Sequence, residues 1–206
     1  MKRRSRYAVD VSETSVRGGL RDITREAVRS RIAAVAVARF DEQGFDAVTV
    51  EQIAAEVGIS ARSFHRYFPA KEDAVIGDPG RHRGALAAAF EERPATEPVW
   101  ESLREAFAGM MVRADEDVEY GRRSVRVMMS TPSLRARNLE KHLVWAEVLT
   151  PLVAARLGTA DAELRAAVLV QASLGCFDVA ITRWSVTDEP APTLLRRTFD
   201  TLRDAV

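Results

Sequence analysis

The stretch that most constrains the fold of this chain runs from residue 49 to residue 71 and reads TVEQIAAEVGISARSFHRYFPAK. Thr49 stands before an apolar run with Gln52 three residues on, which is a capping-box pattern for the start of a helix. Gly58 is suited to end that helix in a left-handed conformation, and Ser60 can cap a second one. The stretch therefore predicts two short helices joined by a tight turn.

The second of these helices separates its side chains into a buried and an outward face. On a helical wheel Phe64 and Phe68 lie roughly 40° apart, so both rings mark the buried side. Arg62 and Arg66 then point outward, and guanidinium groups suit guanine edges and phosphates in a DNA major groove. The same outer side carries Ser63 and His65. The alternative is a helix-turn-helix that serves only as a packing unit.

The order and spacing of these residues resemble the TetR-type one-component transcriptional regulators, most strongly over residues 28 to 76. The matching positions are Thr49, Ile53, Ala54, Gly58, Ile59, Ser60, Phe64, Tyr67, Phe68 and Lys71, whereas His65 stands where the family usually has a tyrosine. The resemblance and the wheel together predict DNA contacts from Thr49, Ser60, Ala61, Arg62, Ser63, His65, Arg66, Tyr67 and Lys71. Lys71 has two readings: a phosphate contact, as its family position suggests, or a solvated lysine in the first turn of the next helix.

The resemblance and the break at Gly77-Asp78-Pro79-Gly80 together divide the chain into three predicted regions. Residues 1–22 form a basic arm, 23–76 the helix-turn-helix DNA-binding head, and 77–206 a ligand-binding and dimerisation domain. The first 71 residues hold 13 Lys and Arg against 9 Asp and Glu, and the remainder holds 17 against 21. The amino-terminal third is thus the part suited to a polyanion. The arm either reaches the minor groove or the phosphates, or is a solvated tail.

The rest of the chain predicts an all-α fold, because no alternating strand pattern occurs in it. Gly77-Asp78-Pro79-Gly80 is the clearest break, and it divides the element that connects head and second domain. Pro151 suggests a kink or a division in a long helix. The predicted helical segments after the break are 81–92, 97–113, 115–130, 132–157, 160–186 and 193–205.

The last two segments carry apolar seams that predict a dimer interface. The seam of the first steps by three and four residues through Ala167, Val170, Leu174, Phe177, Ile181 and Trp184, and that of the second through Leu195, Phe199, Leu202 and Val206. Two such helices can close a four-helix bundle with a symmetry mate. The resemblance implies the same homodimer through the last two helices. The alternative is internal use of the seam in a monomer.

A ligand cavity is expected among the middle helices. The large adaptable side chains that could line it are Trp100, Phe107, Met111, Met128, Trp145 and Phe177, although each could equally be plain core. Arg122, Arg123, Arg126, Arg135 and Arg137 either pair with nearby acids as a solvated face or hold an anionic head group. The segment 122–157 and the helix ending at Trp184 also look similar to regulators with an acyl-coenzyme-A-like ligand domain.

Composition favours a soluble cytoplasmic protein. The 206 residues are 47% hydrophobic and 29% charged, and no run of 18 apolar residues predicts a membrane span. The single cysteine, Cys176, excludes an internal disulfide and is expected in the core. The histidines at 65, 82 and 142 lack metal-ligand spacing, so neither a metal nor a cofactor nor an enzyme is predicted.

These observations predict a ligand-responsive repressor that binds a palindromic operator as a dimer. A small hydrophobic or acyl-type effector, with an apolar compound and acyl-coenzyme A as the candidates, would release it. The alternatives are an activator or a DNA-binding protein regulated by a protein partner, and more distantly a helical enzyme that carries a helix-turn-helix.

Overall fold

The computed structural model describes residues 19–77, 83–115 and 117–205, and within these ranges the chain forms ten α-helices and no β-strand. The all-α prediction is confirmed, and the helix ends lie within a few residues of the predicted ones. The helices are α1 Leu20–Gln43, α2 Val50–Val57, α3 Ala61–Tyr67, α4 Asp73–Ile76, α5 Arg83–Glu91, α6 Val99–Asp115, α7 Val118–Ser130, α8 Pro132–Leu157, α9 Ala162–Trp184 and α10 Ala191–Ala205.

Local hydrogen bonds fix the helix-turn-helix formed by α2 and α3. Gln52 N donates to Thr49 Oγ1 at 3.3 Å, and Thr49 N donates to Gln52 Oε1 at 2.8 Å, which completes the capping box. Gly58 has φ 81° and ψ 31°, a left-handed conformation that favours glycine. Ser60 Oγ accepts from Ser63 N at 3.2 Å and begins α3. Each of these signals acts over four residues or fewer, which is why the sequence could show them.

A small core supports the three head helices. Phe64 and Phe68 are completely or almost completely buried, with ring centroids 5.6 Å apart. They pack in one apolar cluster with Ile32 and Phe40 of α1 and with Ile53 of α2. Because α3 is a single helix of seven residues, this packing rather than its own propensity keeps it helical.

Two details at the edges of the head differ from expectation. Helix α1 already begins at Leu20, so residues 20–22 of the predicted arm are helical, while residues 1–18 lie outside the described residues. The connecting element is a four-residue helix, α4, that ends at Gly77 with φ 76°. The predicted break therefore begins at Gly77, and residues 78–80 of that break lie outside the described part of the chain.

Helix α8 runs without division from Pro132 to Leu157, so of the two alternatives for Pro151 the division is wrong, and a kink stays a prediction. Proline deprives the carbonyl of the residue four positions earlier, Glu147, of its helical partner. Both residues are exposed, so water can bind that carbonyl and the helix continues.

Helix α9 is the central element of the second unit, packed between α8 and α10. By length and composition alone it is apolar enough to cross a membrane, with a mean hydropathy of 1.6 over its most apolar window. Its predicted seam is however part of the monomer core, because Val170, Leu174 and Trp184 are buried there. Only 39% of this window is buried, so the core accounts for part of its apolar character and exposed apolar side chains account for the rest.

Ion pairs and a continuous apolar core join the head to the second unit. Helix α1 packs against α7, and α4 packs against α7 and α8. Arg123 Nε lies 3.3 Å from Asp41 Oδ2, and Arg137 Nη2 lies 2.9 Å from Asp73 Oδ1. Movement of α7 or α8 is thus transmitted directly to the helices that carry α2 and α3.

Candidate nucleic-acid interface and effector cavity

The outward face of α3 is exposed and cationic. Arg62, His65 and Arg66 are all exposed, and α3 itself contains no acidic residue. Within the described residues Arg62 has no ion pair and no hydrogen bond, whereas Arg66 lies over the ring of Tyr67 at 5.4 Å. Two guanidinium groups on a rigid helix, not neutralised by the protein, can bind phosphates or guanine edges.

Neighbouring groups fix the ends of this helix. Arg29 Nη1 donates to the carbonyl of Tyr67 at 2.6 Å, and its guanidinium lies 4.3 Å from the centre of the Phe68 ring. His65 Nδ1 lies 3.3 Å from the carbonyl of Pro69. The helix is therefore held at its carboxyl end by α1 as well as by its own cap.

Lys71 has a structural role that neither reading of the sequence included. Its ammonium donates to the carbonyls of Phe45 and Val48 at 2.8 and 2.9 Å and lies 4.0 Å from the centre of the Phe45 ring. An ammonium has three donors, so one remains for a phosphate. The same residue thus closes the loop between α1 and α2 and can still contact DNA.

The predicted DNA-binding residues lie at one end of the molecule, on or beside α2 and α3. Thr49 and Ser60 are exposed caps at the two helix starts, and Ala61, Ser63 and Tyr67 are half-buried. Their contacts with DNA remain predictions.

A cavity of about 570 Å³ lies between the head and the second unit. That volume is within the range of pockets that bind small organic molecules. The head contributes Ala33 and Ala34 of α1 and the whole of α4, and the second unit contributes the inner faces of α7, α8 and α9. A molecule in this cavity touches both units at once.

Only part of the predicted ligand set reaches the cavity wall. Met128, Trp145 and Phe177 line it. The structure places Trp100 elsewhere, with its Nε1 3.3 Å from the carbonyl of Phe199 in α10. Phe107 lies behind the wall with its ring stacked on Phe177, and Met111 is buried in the core. The core and the cavity wall both require large apolar side chains, so the residue type alone does not tell a core residue from a cavity-lining one.

A polar cluster in this wall was not predicted from the sequence. Asn138, Lys141, His142 and Trp145 follow each other on α8 at steps of three, one and three, which places them on one face opposite Asp178 of α9. Asn138 Nδ2 donates to Asp178 Oδ1 at 3.5 Å, and His142 Nδ1 lies 3.3 Å from Asp178 Oδ2. The sequence does contain a sign of this cluster, because Asn138, Lys141 and His142 are polar residues at core-facing positions of an amphipathic helix.

Burial changes the pKa values of this cluster. It lowers the pKa of Lys141 to about 8, against the opposing attraction of Asp178. It lowers the pKa of His142 to about 4, to which the charge of Lys141 contributes. It raises the pKa of Asp178, although Lys141 and Asn138 oppose that change. At neutral pH His142 is therefore an uncharged imidazole beside a charged lysine.

The five arginines considered for an anionic head group are occupied within the protein. Arg122 pairs with Asp188 and Arg126 with Asp41 and Glu119, in addition to the two pairs of Arg123 and Arg137 with the head. Arg135 Nη1 donates to the carbonyl of Met129 at 3.0 Å. They serve as links between helices, which favours the paired face over a head-group site.

The outward apolar surface differs from the predicted dimer seam. In α10, Leu195 and Phe199 are buried, so they contribute to the monomer and not to a free face. The apolar side chains that are more than half exposed on α8 and α9 are Leu139, Leu143, Leu164, Val168 and Val179. The exposed side of α10 carries arginines instead. The residues of the expected seam are thus largely part of the core of one chain, the exposed apolar side chains lie on α8 and α9, and the location of the dimer interface stays a prediction.

Comparison with known proteins agrees with this architecture. Residues 32–75 match the sequence model of bacterial regulatory proteins of the tetR family, and residues 97–206, more than half of the chain, match that of the MftR C-terminal domain. The protein named mycofactocin biosynthesis transcriptional regulator MftR, from Mycobacterium tuberculosis, is 26% identical over 160 residues, which cover 78% of this chain and 81% of that protein. The HTH-type transcriptional regulator TcmR of Streptomyces glaucescens is 30% identical over 146 residues, 68% of this chain and 65% of that protein.

Solved structures share the fold at low sequence identity. The fatty acid degradation regulator FadR from Bacillus halodurans has a TM-score of 0.60 at 20% identity, covering 85% of this chain and 94% of that chain. FadR from Thermus thermophilus, solved in complex with lauroyl-CoA, has a TM-score of 0.55 at 18% identity, covering 86% of this chain and 94% of that chain.

Proposed function

Because this chain belongs to the TetR family of bacterial regulatory proteins, it is a ligand-responsive transcriptional regulator, and we propose that it is a cytoplasmic dimeric repressor of a palindromic operator. The observation that supports DNA binding is the unpaired cationic face of α3 at one end of a cavity-bearing helical fold, and activation from the same site is the alternative to repression. No catalytic step is assigned to any residue.

We assign the base contacts to Arg62 and Arg66. Their guanidinium groups are exposed, on a helix whose two ends are held by hydrogen bonds, so they can present a fixed geometry to guanine. Thr49, Ser60, Ala61, Ser63, His65, Tyr67 and Lys71 surround them and are assigned to the phosphate backbone and the adjacent bases. Contacts with the DNA phosphates fix the position and orientation of α3 on the duplex.

A second copy of the chain is assigned to the apolar face of α8 and α9. Two recognition helices held one duplex turn apart, about 34–36 Å, match the half-sites of a palindrome. A Val168→Lys substitution places a charge in the middle of this face, and it is expected to yield monomers in sedimentation velocity runs. An unchanged dimer would place the interface elsewhere.

Release from DNA is assigned to a small molecule in the cavity. Because the cavity wall includes α1 and α4, an effector that fits better when α4 has moved shifts the population towards a state with mismatched head spacing. The shift can be no larger than the difference between the effector's affinities for the two states.

The experiment that tests DNA reading starts with selection of an operator from a random duplex library. The purified full-length chain should select a sequence with two inverted half-sites about one helical turn apart. Fluorescence anisotropy then compares wild type with Arg62→Ala on the operator and on a duplex with one altered half-site base pair. If Arg62 reads a base, the substitution weakens operator binding by about 1–3 kcal/mol and reduces discrimination at that base pair.

The matched control is Arg165→Ala, which removes an exposed arginine of α9 that has no partner in the described part of the chain. It should bind the operator as wild type does. Equal weakening of Arg62→Ala on every duplex would instead make this residue a phosphate contact. Selection of no sequence at all would refute the proposed function.

A further inference from the structure

The cavity wall contains polar atoms that the protein does not satisfy. Trp145 Nε1 and Asn138 Oδ1 are buried and have no hydrogen-bond partner, and both residues are part of the wall. Asn138 is 5% exposed and Trp145 is 1% exposed. A buried polar atom without a partner destabilises the folded protein, so such atoms usually have a function.

The direction of each group follows from its neighbours. The carboxylate of Asp178 can only accept, so the amide nitrogen of Asn138 faces it and the amide oxygen is left free as an acceptor. His142 Nδ1 lies against the other oxygen of the same carboxylate. Both oxygens of Asp178 are therefore occupied by groups other than Lys141.

Lys141 makes no ion pair with Asp178, although the charge of Asp178 still favours its ammonium form. Its ammonium lies 5.0 Å from the centre of the Trp145 ring, and within the described residues it makes no ion pair and no hydrogen bond. Burial disfavours its charge, so a group that restores solvation to the ammonium is favoured here. Lys141 and the indole N–H of Trp145 thus offer two donors beside two acceptors, Asn138 Oδ1 and the buried, unpartnered Nε2 of His142.

We propose that this cluster is the head-group site for an organic anion, with the acid group on Lys141 and Trp145 Nε1 and a neighbouring hydroxyl or N–H on Asn138 Oδ1. The proposal deepens the effector role assigned above and names its chemical class. The remaining wall, which includes Val125, Met128 and Phe177, receives an apolar body. A neutral apolar effector would leave these three polar groups unsatisfied.

The cavity favours a free organic acid over a coenzyme A ester. The ester carries several phosphate charges, which need several cations, and the nearby arginines are bound to Asp41, Asp73, Glu119 and Asp188. A single ammonium and an indole N–H match one singly charged acid group. The apolar body of such an acid and its head group would fit together within about 570 Å³.

A pair of fluorescent probes tests the proposal on the full chain without DNA. The probe 8-anilinonaphthalene-1-sulfonate carries a sulfonate beside an anilino N–H, and N-phenyl-1-naphthylamine is the same skeleton without the sulfonate. Fluorescence titration gives the dissociation constant of each probe for wild type and for Lys141→Met. Loss of Lys141 should weaken the sulfonate probe about tenfold or more and change the neutral probe less than about twofold.

Arg165→Met is the matched control, because it removes one exposed positive charge far along α9 from the cluster, and it should change neither probe. Binding of the neutral probe also shows that Lys141→Met has kept its cavity. Equal weakening of both probes, or no change in either, overturns the proposal.

A displacement arm compares laurate, lauramide and lauroyl-CoA against the sulfonate probe. Laurate should displace the sulfonate probe from wild type. Lauramide should need at least about tenfold more ligand for the same displacement, because it has the same apolar chain but a neutral amide in place of the carboxylate. Lauroyl-CoA that displaces the probe better than laurate from both wild type and Lys141→Met would overturn the assignment. Since no DNA is present, these results are independent of the operator experiment.

Discussion

Replacement of Arg137 by methionine tests the link between the head and the second unit. Arg137 Nε and Nη2 donate to Asp73 Oδ1 at 3.0 and 2.9 Å, and they join α8 to α4. Asp73 is only 2% exposed, and its other oxygen accepts from Ala70 N at 3.0 Å. The substitution removes these two charge-assisted hydrogen bonds and a third from Arg137 Nη1 to Glu140 Oε2, and it leaves the buried carboxylate of Asp73 with one donor.

The expected loss of stability follows from this burial. Breaking a fully buried ion pair by removing one partner costs about 3–5 kcal/mol. The Arg137 side chain is 33% exposed, so water can reach the place it leaves, and about 2–3 kcal/mol is the more suitable figure. For a chain of this size each kcal/mol lowers the melting temperature by about 2–4 °C, which gives a decrease of about 4–12 °C.

Differential scanning calorimetry at one fixed protein concentration measures this decrease. Arg135→Met is the control, because Arg135 lies on the same helix, is exposed and makes one hydrogen bond, to the carbonyl of Met129, so its substitution should change stability by less than about 1 kcal/mol. The double variant Asp73→Asn/Arg137→Met removes both charges and should be more stable than the sum of the single losses predicts. A melting temperature of Arg137→Met equal to that of the control, or additive losses, would refute the reasoning.

Three other outcomes are expected. Affinity for the sulfonate probe should fall as the pH rises through about 8, since the pKa of Lys141 is about 8 and only its ammonium form binds the anion. Other titratable groups also line the cavity, namely Tyr120 and the carboxylates of Glu26, Asp73, Asp117 and Asp178, and His142 contacts Asp178; Lys141→Met is therefore the control that should abolish the slope. Thr49→Ala should cost about 1 kcal/mol of unfolding free energy in a denaturant titration, because it removes a helix cap, and Thr49→Ser should not. Cys176 should react slowly with a thiol reagent in the native state and at the rate of a free thiol in denaturant, because burial raises its pKa.

The helix-turn-helix could be predicted from the sequence because its signals are local. The cap at Thr49, the left-handed Gly58 and the cap at Ser60 depend on contacts within a few residues. The buried side of α3 followed from the spacing of Phe64 and Phe68. Helix caps and helix ends of this kind depend only on residues adjacent in sequence, so they can be predicted without knowledge of the tertiary structure.

The cavity wall could not be predicted in the same way. Phe107 and Phe177 stack on each other, yet only Phe177 reaches the cavity, and this difference depends on the direction in which α6 packs. Likewise the repeat through Val170 and Leu174 fits an interface or a core equally well. The exposed Val168 and Val179 show a second apolar side of α9, and a helix apolar on two sides must be covered on both.

The position of the cluster on α8 explains how a bound anion can affect DNA binding. Asn138 and Lys141 face the cavity within one turn of Arg137, which holds α4 through Asp73. A rotation of α8 that improves the contact with an anion therefore alters the geometry of the Arg137 pair. Coupling between two sites in regulatory proteins is typically 1–3 kcal/mol, which is the size of the pair's contribution worked out above.

We therefore expect the Arg137–Asp73 pair to carry part of the coupling between the cavity and the head. Reciprocity then demands that operator DNA weaken anion binding by the same factor as the anion weakens operator binding. In Arg137→Met the factor by which DNA weakens anion binding and the factor by which the anion weakens DNA binding should both fall towards one. Arg135→Met should keep both factors at their wild-type values. A variant that loses stability but keeps its full coupling would mean that the signal passes from α7 through Asp41 to α1 instead.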